Sequence, residues 1–198
     1  MNSFNRGRVA LAFICVIAFV ALVFYLGART PAPEPINGDQ LGQHNGESFA
    51  DYSERASASV EALDPASEEN SYALVAFTDS LTPEEAANQL TEVERVSAMT
   101  IGVASARALP EPIAGEDRAD VFQRDLDRIA YSLQGIGDVP VPERIDAVVV
   151  WDDPATLRSL YDEPYVATVE ALPSDAAWGM FGIQPVNVHS EFNGVPAV

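Results

Sequence analysis

The sequence predicts an α+β protein with one N-terminal transmembrane helix and one folded domain. The first observation is an apolar run near the amino end that contains no charge and no proline. The second is a pattern that occurs twice: an apolar strand, a short helix that starts at a proline, and another strand. The third is a longer amphipathic helix between the two copies of this pattern.

The apolar run covers residues 9–26. At about 1.5 Å per residue, a helix of this length spans roughly 27 Å, close to the hydrocarbon thickness of a bilayer. The arginine bias across the run places the amino end in the cytoplasm, and an aromatic pair follows where the outer interface is expected. We predict a cytoplasmic stub (1–8) and a transmembrane helix (9–28). The membrane-flanking residues are Arg6, Arg8, Phe24, Tyr25 and Arg29.

A cleaved signal peptide is the alternative for this run. Its apolar region is normally about 7–15 residues long and ends in small residues, whereas the best site here, Leu26-Gly27-Ala28, has leucine where a small residue is needed. Cys15 lies in mid-span after Phe13-Ile14 and is not placed like a lipoprotein cysteine. The sequence therefore favours an uncleaved anchor in the cell membrane, with the C-terminal domain extracytoplasmic.

The composition excludes several chemistries. All 11 basic residues are arginines, against 30 acidic residues, and the net charge is -19. Without lysine there is neither a Schiff-base enzyme nor a phosphate-binding loop of the Gly-Lys-Ser/Thr type. One cysteine cannot form an intramolecular disulfide. The part beyond Arg29 has 8 arginines against 30 acids, a net charge of -22, so we expect no nucleic-acid partner.

A tether is predicted between the span and the domain, over residues 29–70. It starts with the stiff sequence TPAPEP, at 30–35. Apolar side chains then recur at steps of three and four residues, which is the spacing of a short amphipathic helix, and a partly ordered linker is the alternative. The residues in this pattern are Phe49, Tyr52, Ala56, Val60 and Leu63.

The domain is predicted over residues 71–172. Thr82-Pro83-Glu84-Glu85 and Asp153-Pro154 are helix starts, with a capping residue followed by proline. A longer helix is expected at about 117–134 and ends at a glycine. The predicted strands are 72–78, 96–103, 145–151 and 165–171. Two split β-α-β units of this kind predict a ferredoxin-like α+β sandwich, with the 117–134 helix inserted between the halves.

The tail, residues 173–198, has few regular signals but carries four large apolar residues. They are Trp178, Met180, Phe181 and Ile183. One interpretation is that they cover the open side of the sheet. The other is an exposed apolar patch that docks on a partner or on the membrane surface.

The acidic pairs have structural explanations. Glu84 and Glu85 lie in the first turn of a helix, where the macrodipole favours carboxylates. Asp153 is a helix cap, which leaves Asp152 as the one carboxylate with a catalytic interpretation. The acids of the 117–134 helix alternate with arginines and are interpreted as solvated ion pairs, not as a calcium loop. They are Asp117, Asp120, Asp125 and Asp127, with Arg118, Arg124 and Arg128.

No residue is predicted to bind a metal or cofactor or to act in catalysis. His44 and His189 are the two histidines, and His189-Ser190-Glu191 lacks a third strong ligand outside the anchor. The segment Thr78-Asp79-Ser80-Leu81, expected to be the loop after the first strand, would repel a phosphate. We therefore expect that the protein is not an enzyme.

The sequence resembles a group of uncharacterised single-pass envelope proteins of actinobacteria. The resemblance lies in the arginine-flanked span, the Pro/acid tether, and the stretches SYALVAFTDSLTPEEAANQL (71–90) and RVSAMTIGVASA (95–106). Small proteins of this kind include accessory subunits of the cytochrome bcc–oxidase respiratory supercomplex. The resemblance implies a non-catalytic accessory subunit.

These observations give three functional hypotheses. The first is an extracytoplasmic accessory or scaffold subunit of a membrane protein complex, whose partners are an integral membrane protein complex and the lipid bilayer. The second is a small-molecule-binding or sensory domain that regulates a membrane partner. The third is an envelope hydrolase that uses Asp152.

Overall fold

The structure is a computed structural model that describes residues 39–189, except 103 and 138. The predicted stub, the predicted span and its flanking residues Arg6, Arg8, Phe24, Tyr25 and Arg29 lie outside the described residues. None of the helices in the described part is long and apolar enough to cross a membrane.

The described part is an α+β domain around a five-stranded antiparallel sheet. The sheet strands are β2 (Ser71–Leu81), β3 (Arg95–Thr100), β4 (Arg107–Ala108), β5 (Ile145–Asp152) and β6 (Val166–Ala171), in the spatial order β4-β3-β5-β2-β6. β5 lies between β2 and β3, and β2 lies between β5 and β6. A separate pair of parallel strands is formed by β1 (Gln40–Leu41) and β7 (Gly182–Ile183).

Four α-helices are described. They are α1 (Phe49–Glu61), α2 (Pro83–Gln89), α3 (Arg118–Leu133) and α4 (Pro154–Ser159), and a 3-10 turn (Leu160–Asp162) follows the last.

The predicted helix starts are confirmed. The Thr82 side chain accepts from the Glu85 N–H while the Glu85 carboxylate accepts from the Thr82 N–H, and Asp153 accepts from the N–H groups of Ala155 and Thr156.

The sheet is covered on both faces because its central strands alternate apolar side chains between two cores. Val75 of β2 and Val148 of β5 face the core that contains Val60 of α1, Phe122 of α3 and Leu157 of α4, among others. All four helices contribute to this core.

The opposite face of the sheet has a second core. Leu74 and Val149 face it, and the segment after β6 covers it through side chains such as Phe181 and Ile183, together with Leu41 from β1. The continuous apolar run of β2 is therefore explained by burial on both faces, as the sequence predicted.

The structure differs from the sequence analysis at three places. Residues 78–81, expected to be a loop, are the last residues of β2. The expected strand 96–103 ends at Thr100. The short helix predicted within the tether is confirmed as α1 at residues 49–61, but it belongs to the folded domain: Tyr52, Ala56 and Val60 are buried because α1 packs along β6.

Candidate functional site

The candidate site is the apolar patch predicted in the tail. The structure divides its four residues into two pairs. Trp178 and Met180 are 41% and 49% exposed, whereas Phe181 and Ile183 are partly buried against the second core. A tight turn produces this division, since the Met180 N–H donates to the Ala177 carbonyl oxygen over 3.0 Å. The interpretation that the tail covers the sheet is confirmed for Phe181 and Ile183, and docking by Trp178 and Met180 stays a prediction.

The Trp178 ring rests on other aromatic rings. Its centroid lies 5.6 Å from that of Tyr72 and 5.8 Å from that of Phe181, which it meets edge-on. Tyr72 in turn lies 5.2 Å from Phe181 and 6.4 Å from Trp151 on β5. Aromatic pairs at these separations are worth about 0.5–1.5 kcal/mol each beyond their buried area. The partly exposed indole of Trp178 is therefore held in place by the neighbouring rings.

The β1–β7 pair holds the chain directly after the exposed residues Trp178 and Met180. Gln40 pairs with Gly182, and Leu41 pairs with Ile183. The Gln184 N–H also donates to the Leu41 carbonyl oxygen over 2.8 Å. As a result, the first described residues of the chain run directly beside the segment that carries Trp178.

A buried carboxylate ties the same N-terminal segment to the sheet. Glu170 on β6 is 3% exposed, and its Oε2 accepts from the Gly42 N–H over 2.6 Å. Its Oε1 accepts from the Arg55 guanidinium of α1. Arg55 also donates to the Glu47 carboxylate over 3.0 Å and to the Gly42 carbonyl oxygen over 3.0 Å. We refer to these four residues as the Glu170 network.

The charges of the Glu170 network reinforce one another. The hydrogen bond from Arg55 is the main reason that the pKa of Glu47 falls from 4.5 to about 2. The hydrogen bond to Glu47 raises the pKa of Arg55. Burial, and then the charge of Glu170, raise the pKa of Tyr52, over whose ring the Arg55 guanidinium lies at 5.2 Å. Glu47 and Arg55 therefore keep their charges, and Tyr52 stays neutral, across the neutral pH range.

Asp152 has a structural set of contacts. The side chain is 4% exposed, and its two oxygens accept from the backbone N–H groups of Glu94 and Asp153. Arg118 approaches the same loop and donates to the carbonyl oxygens of Leu90 and Val93, and its burial lowers its pKa. Asp152 therefore holds the loop between α2 and β3 against the end of β5.

The acids of α3 do not all behave as predicted. Asp117 caps the helix and Asp120 completes its capping box. Asp125 was expected to be a solvated partner of arginines on its own helix. It does pair with Arg128 of α3 over 3.7 Å, but it is buried, and its hydrogen bonds come from Arg107 on β4. The prediction of solvated pairing was wrong for Asp125, because the helix face that carries it turns toward the edge of the sheet.

An open cavity of about 290 Å³ lies on the side of the sheet that carries the second core, beside the last residues of β2. Its lining includes Asp79, Ser80, Asp146 and His189. The Asp146 carboxylate accepts from the Ser80 hydroxyl and from the Gly102 N–H, and His189 Nε2 lies 3.2 Å from Asp79 Oδ1. The serine and the histidine thus have different carboxylate partners and do not form a Ser-His-Asp relay.

The other residues singled out in the sequence have local roles. Glu84 lies in the first turn of α2, and the His44 N–H donates to Glu47. Ser190 and Glu191 lie outside the described residues. Within residues 39–189 as described, no group of three or more His, Cys, Asp or Glu side chains is placed to hold a metal ion.

Comparison with known proteins adds no relative. No protein-family model, curated protein or solved structure matches the chain.

Sequence reasoning missed the Glu170 network and the cavity. Glu170 lies inside an apolar strand. This was the available signal in the sequence, because a carboxylate that is buried with its strand needs a cationic partner. The identity of that partner, 115 residues earlier in the chain, had no local signal.

Proposed function

We propose that the protein is a non-catalytic, single-pass accessory or scaffold subunit of a membrane protein complex. In this proposal the apolar run 9–26 is the anchor, the N-terminus is cytoplasmic, and the described domain is extracytoplasmic. The partner is an integral membrane protein complex, contacted by the anchor and by the acidic domain. The cytochrome bcc–oxidase supercomplex is the first complex to test, because of the resemblance described above.

The observation that carries this proposal is the exposed aromatic surface. Trp178 is ordered by Tyr72 and Phe181 and yet is 41% exposed, with Met180 beside it. Tryptophan and methionine are enriched at the centres of interfaces, where large apolar area is buried at low entropic cost. In the described part of the chain, the three buried carboxylates, Asp125, Asp152 and Glu170, are meanwhile engaged in contacts that hold the fold together.

For the fold, the finer proposal is a ferredoxin-like sandwich. The order β3-β5-β2-β6 with antiparallel neighbours supports it, since each strand–helix–strand unit has a strand of the other unit between its own two strands. α3 is then the inserted helix, and α1 is an addition that packs along β6.

Affinity purification of the full chain from native membranes in a mild detergent tests the function. We expect stoichiometric membrane protein partners. Trp178→Ser with Met180→Ser should reduce their recovery if the patch contributes to assembly, and Tyr131→Ser, which removes a 75% exposed ring from α3, is the matched control. A monodisperse chain without partners would contradict the proposal.

A small-molecule sensor is the second candidate, and the 290 Å³ cavity is the observation that favours it. With Asp79 and Asp146 in the lining, a small organic cation such as an amine suits this cavity better than an anion. Thermal-shift measurements of the full chain with a panel of amines test it, with Asp79→Asn as the control variant. A shift that Asp79→Asn abolishes would support the sensor, and no shift with any amine would contradict it.

A further inference from the structure

We propose that an open groove between α2 and α3 binds a basic, apolar segment of a partner protein. The groove has a volume of about 340 Å³ and is bounded by the first turn of α2, one face of α3 and the chain just before β5. It lies on the side of the sheet that carries the first core, since Leu126 belongs to both. Trp178 packs on Phe181 at the second core, on the opposite side. The inference therefore goes beyond the proposed function and concerns a second, separate surface.

The floor of the groove is apolar. Pro83 and Leu126 line it and are buried. Val141 also lines it and is 46% exposed. The loop that contributes Val141 exposes two further apolar side chains, Ile136 and Val139. Several exposed apolar residues close together are typical of a surface that contacts another protein.

The rim of the groove carries three carboxylates. Glu84 comes from α2, Asp127 from α3 and Glu143 from the chain before β5, and all three are exposed. Within the described part of the chain none of them forms an ion pair. Asp127 accepts a hydrogen bond from the neutral Gln123 side chain over 2.8 Å. Like charges around one groove repel one another, and a cation placed between them removes this repulsion.

The neighbouring arginines do not supply this cation. Arg144 follows Glu143 directly in the chain but pairs with Glu85 over 3.6 Å. Arg124 and Arg128 of α3 pair with other acids. Among the described residues that line the groove there is no arginine. We therefore expect the positive charge to come from another molecule.

The charge of the chain and the apolar floor together indicate the kind of molecule. Beyond Arg29 the chain has 8 arginines against 30 acids, a net charge of -22, so a second copy of the domain and a nucleic acid are both repelled. A small cation alone would leave the apolar floor uncovered. A protein segment with arginine or lysine between apolar side chains complements both the floor and the rim. Because the groove and the Trp178 patch lie on opposite sides of the sheet, the domain can hold two partner segments at once, as a scaffold does.

Peptide binding to the full chain in a mild non-ionic detergent tests the proposal. The probe is a fluorescently labelled five-residue peptide that alternates leucine and arginine, and its binding is followed by fluorescence anisotropy. One control peptide has citrulline in place of arginine and the other has serine in place of leucine. We expect each control peptide to bind at least about fivefold more weakly than the probe, and the affinity of the probe to fall as the salt concentration rises.

Two double variants with the same net charge locate the binding site. Asp127→Asn with Glu143→Gln removes two charges from the rim and should weaken probe binding about fivefold. Glu61→Gln with Glu68→Gln is the matched control, and it should change the affinity by less than about twofold because those carboxylates lie outside the groove. All four side chains are exposed, so we expect both double variants to fold.

A second pair of variants tests the apolar floor. Val141→Ser shortens the apolar surface of the groove and should weaken probe binding about threefold. Tyr131→Ser removes an exposed ring from α3 outside the lining and should leave the affinity unchanged. Equal effects of these two variants would contradict the assigned floor.

The outcomes separate this inference from the proposed function. A probe that does not bind, or that binds equally to the two double variants, would overturn the inference and would leave the recovery of partners from native membranes unaffected. Arginine amide that binds as tightly as the probe would assign the groove to a small cation and also overturn it. Trp178→Ser with Met180→Ser should leave probe binding unchanged, even where it reduces the recovery of membrane partners. Failure to recover any partner, with the probe still bound at the groove, would contradict the proposed function alone.

Discussion

Replacing Glu170 by glutamine tests whether the Glu170 network holds the N-terminal segment on the sheet. The glutamine keeps the shape of the side chain and one acceptor oxygen, but its NH₂ group must face either the Gly42 N–H or the Arg55 guanidinium, both of which are donors. One charge-assisted hydrogen bond is therefore lost, and a buried donor loses its acceptor.

The magnitude follows from the burial of the partners. A hydrogen bond to a charged group is worth about 1.5–3 kcal/mol, and losing one partner of a buried ion pair costs about 3–5 kcal/mol. Arg55 is 34% exposed and keeps Glu47, so water and the second carboxylate offset part of the loss. We expect Glu170→Gln to lower the free energy of unfolding by about 2–3 kcal/mol, or the Tm by about 5–10 °C.

Urea unfolding of the full chain in mild detergent, followed by tryptophan fluorescence, measures this change because both tryptophans lie in the domain. Glu61→Gln is the matched control: it removes the same charge from an exposed position on α1 and should change the unfolding free energy by no more than about 0.5 kcal/mol. A Glu170→Gln chain as stable as the Glu61→Gln chain would refute the reasoning.

Three further predictions concern the same domain. Gly42→Ala should lower the Tm more than Gly46→Ala. Both glycines have positive φ, but a Cβ at Gly42 would lie 2.1 Å from the Gln184 carbonyl oxygen, whereas a Cβ at Gly46 would meet nothing within 4 Å. Equal Tm shifts would contradict the close approach of the backbone at Gly42. Asp152→Asn should lower the unfolding free energy by about 1–3 kcal/mol because its NH₂ group must face a backbone N–H, and an unchanged urea midpoint would contradict the structural role. The depressed pKa of Glu47 adds stability that is complete above pH 4.5 and is lost as the pH falls toward about 2. Glu47→Gln should therefore make the unfolding free energy depend less on pH in this range. An unchanged acid unfolding curve would argue against the ion pair with Arg55.

Local signals made much of the fold predictable. Thr82-Pro83 and Asp153-Pro154 start helices because a capping oxygen and a proline are both suited to the first turn, and neither depends on distant residues. The apolar run at 72–78 indicated burial on both faces, which the two cores confirm. Where apolar periodicity was clear, the elements were found within a few residues of their predicted ends.

Long-range contacts were not predictable from one sequence. The acids of α3 were all interpreted from their neighbours on the helix, but Asp125 pairs with Arg107 on another element as well as with Arg128 on its own helix. In the same way, the tail has little local periodicity because contact with the second core, and not a regular helix or strand, determines its path. The large apolar residues of the candidate site could be identified from the sequence. The turn that leaves Trp178 exposed and Phe181 partly buried could be identified only from the structure.

The size of the assembly that contains the native chain tests the proposed function most directly. Native gel electrophoresis of membranes solubilised in a mild detergent, with detection of the untagged chain, gives this size. The proposal predicts that the chain, 21.3 kDa in mass, migrates in a band of a much larger membrane complex and that partners in this band are present in fixed ratio to it. Migration as a free monomer in every mild detergent, with no partner in fixed ratio, would contradict the proposal.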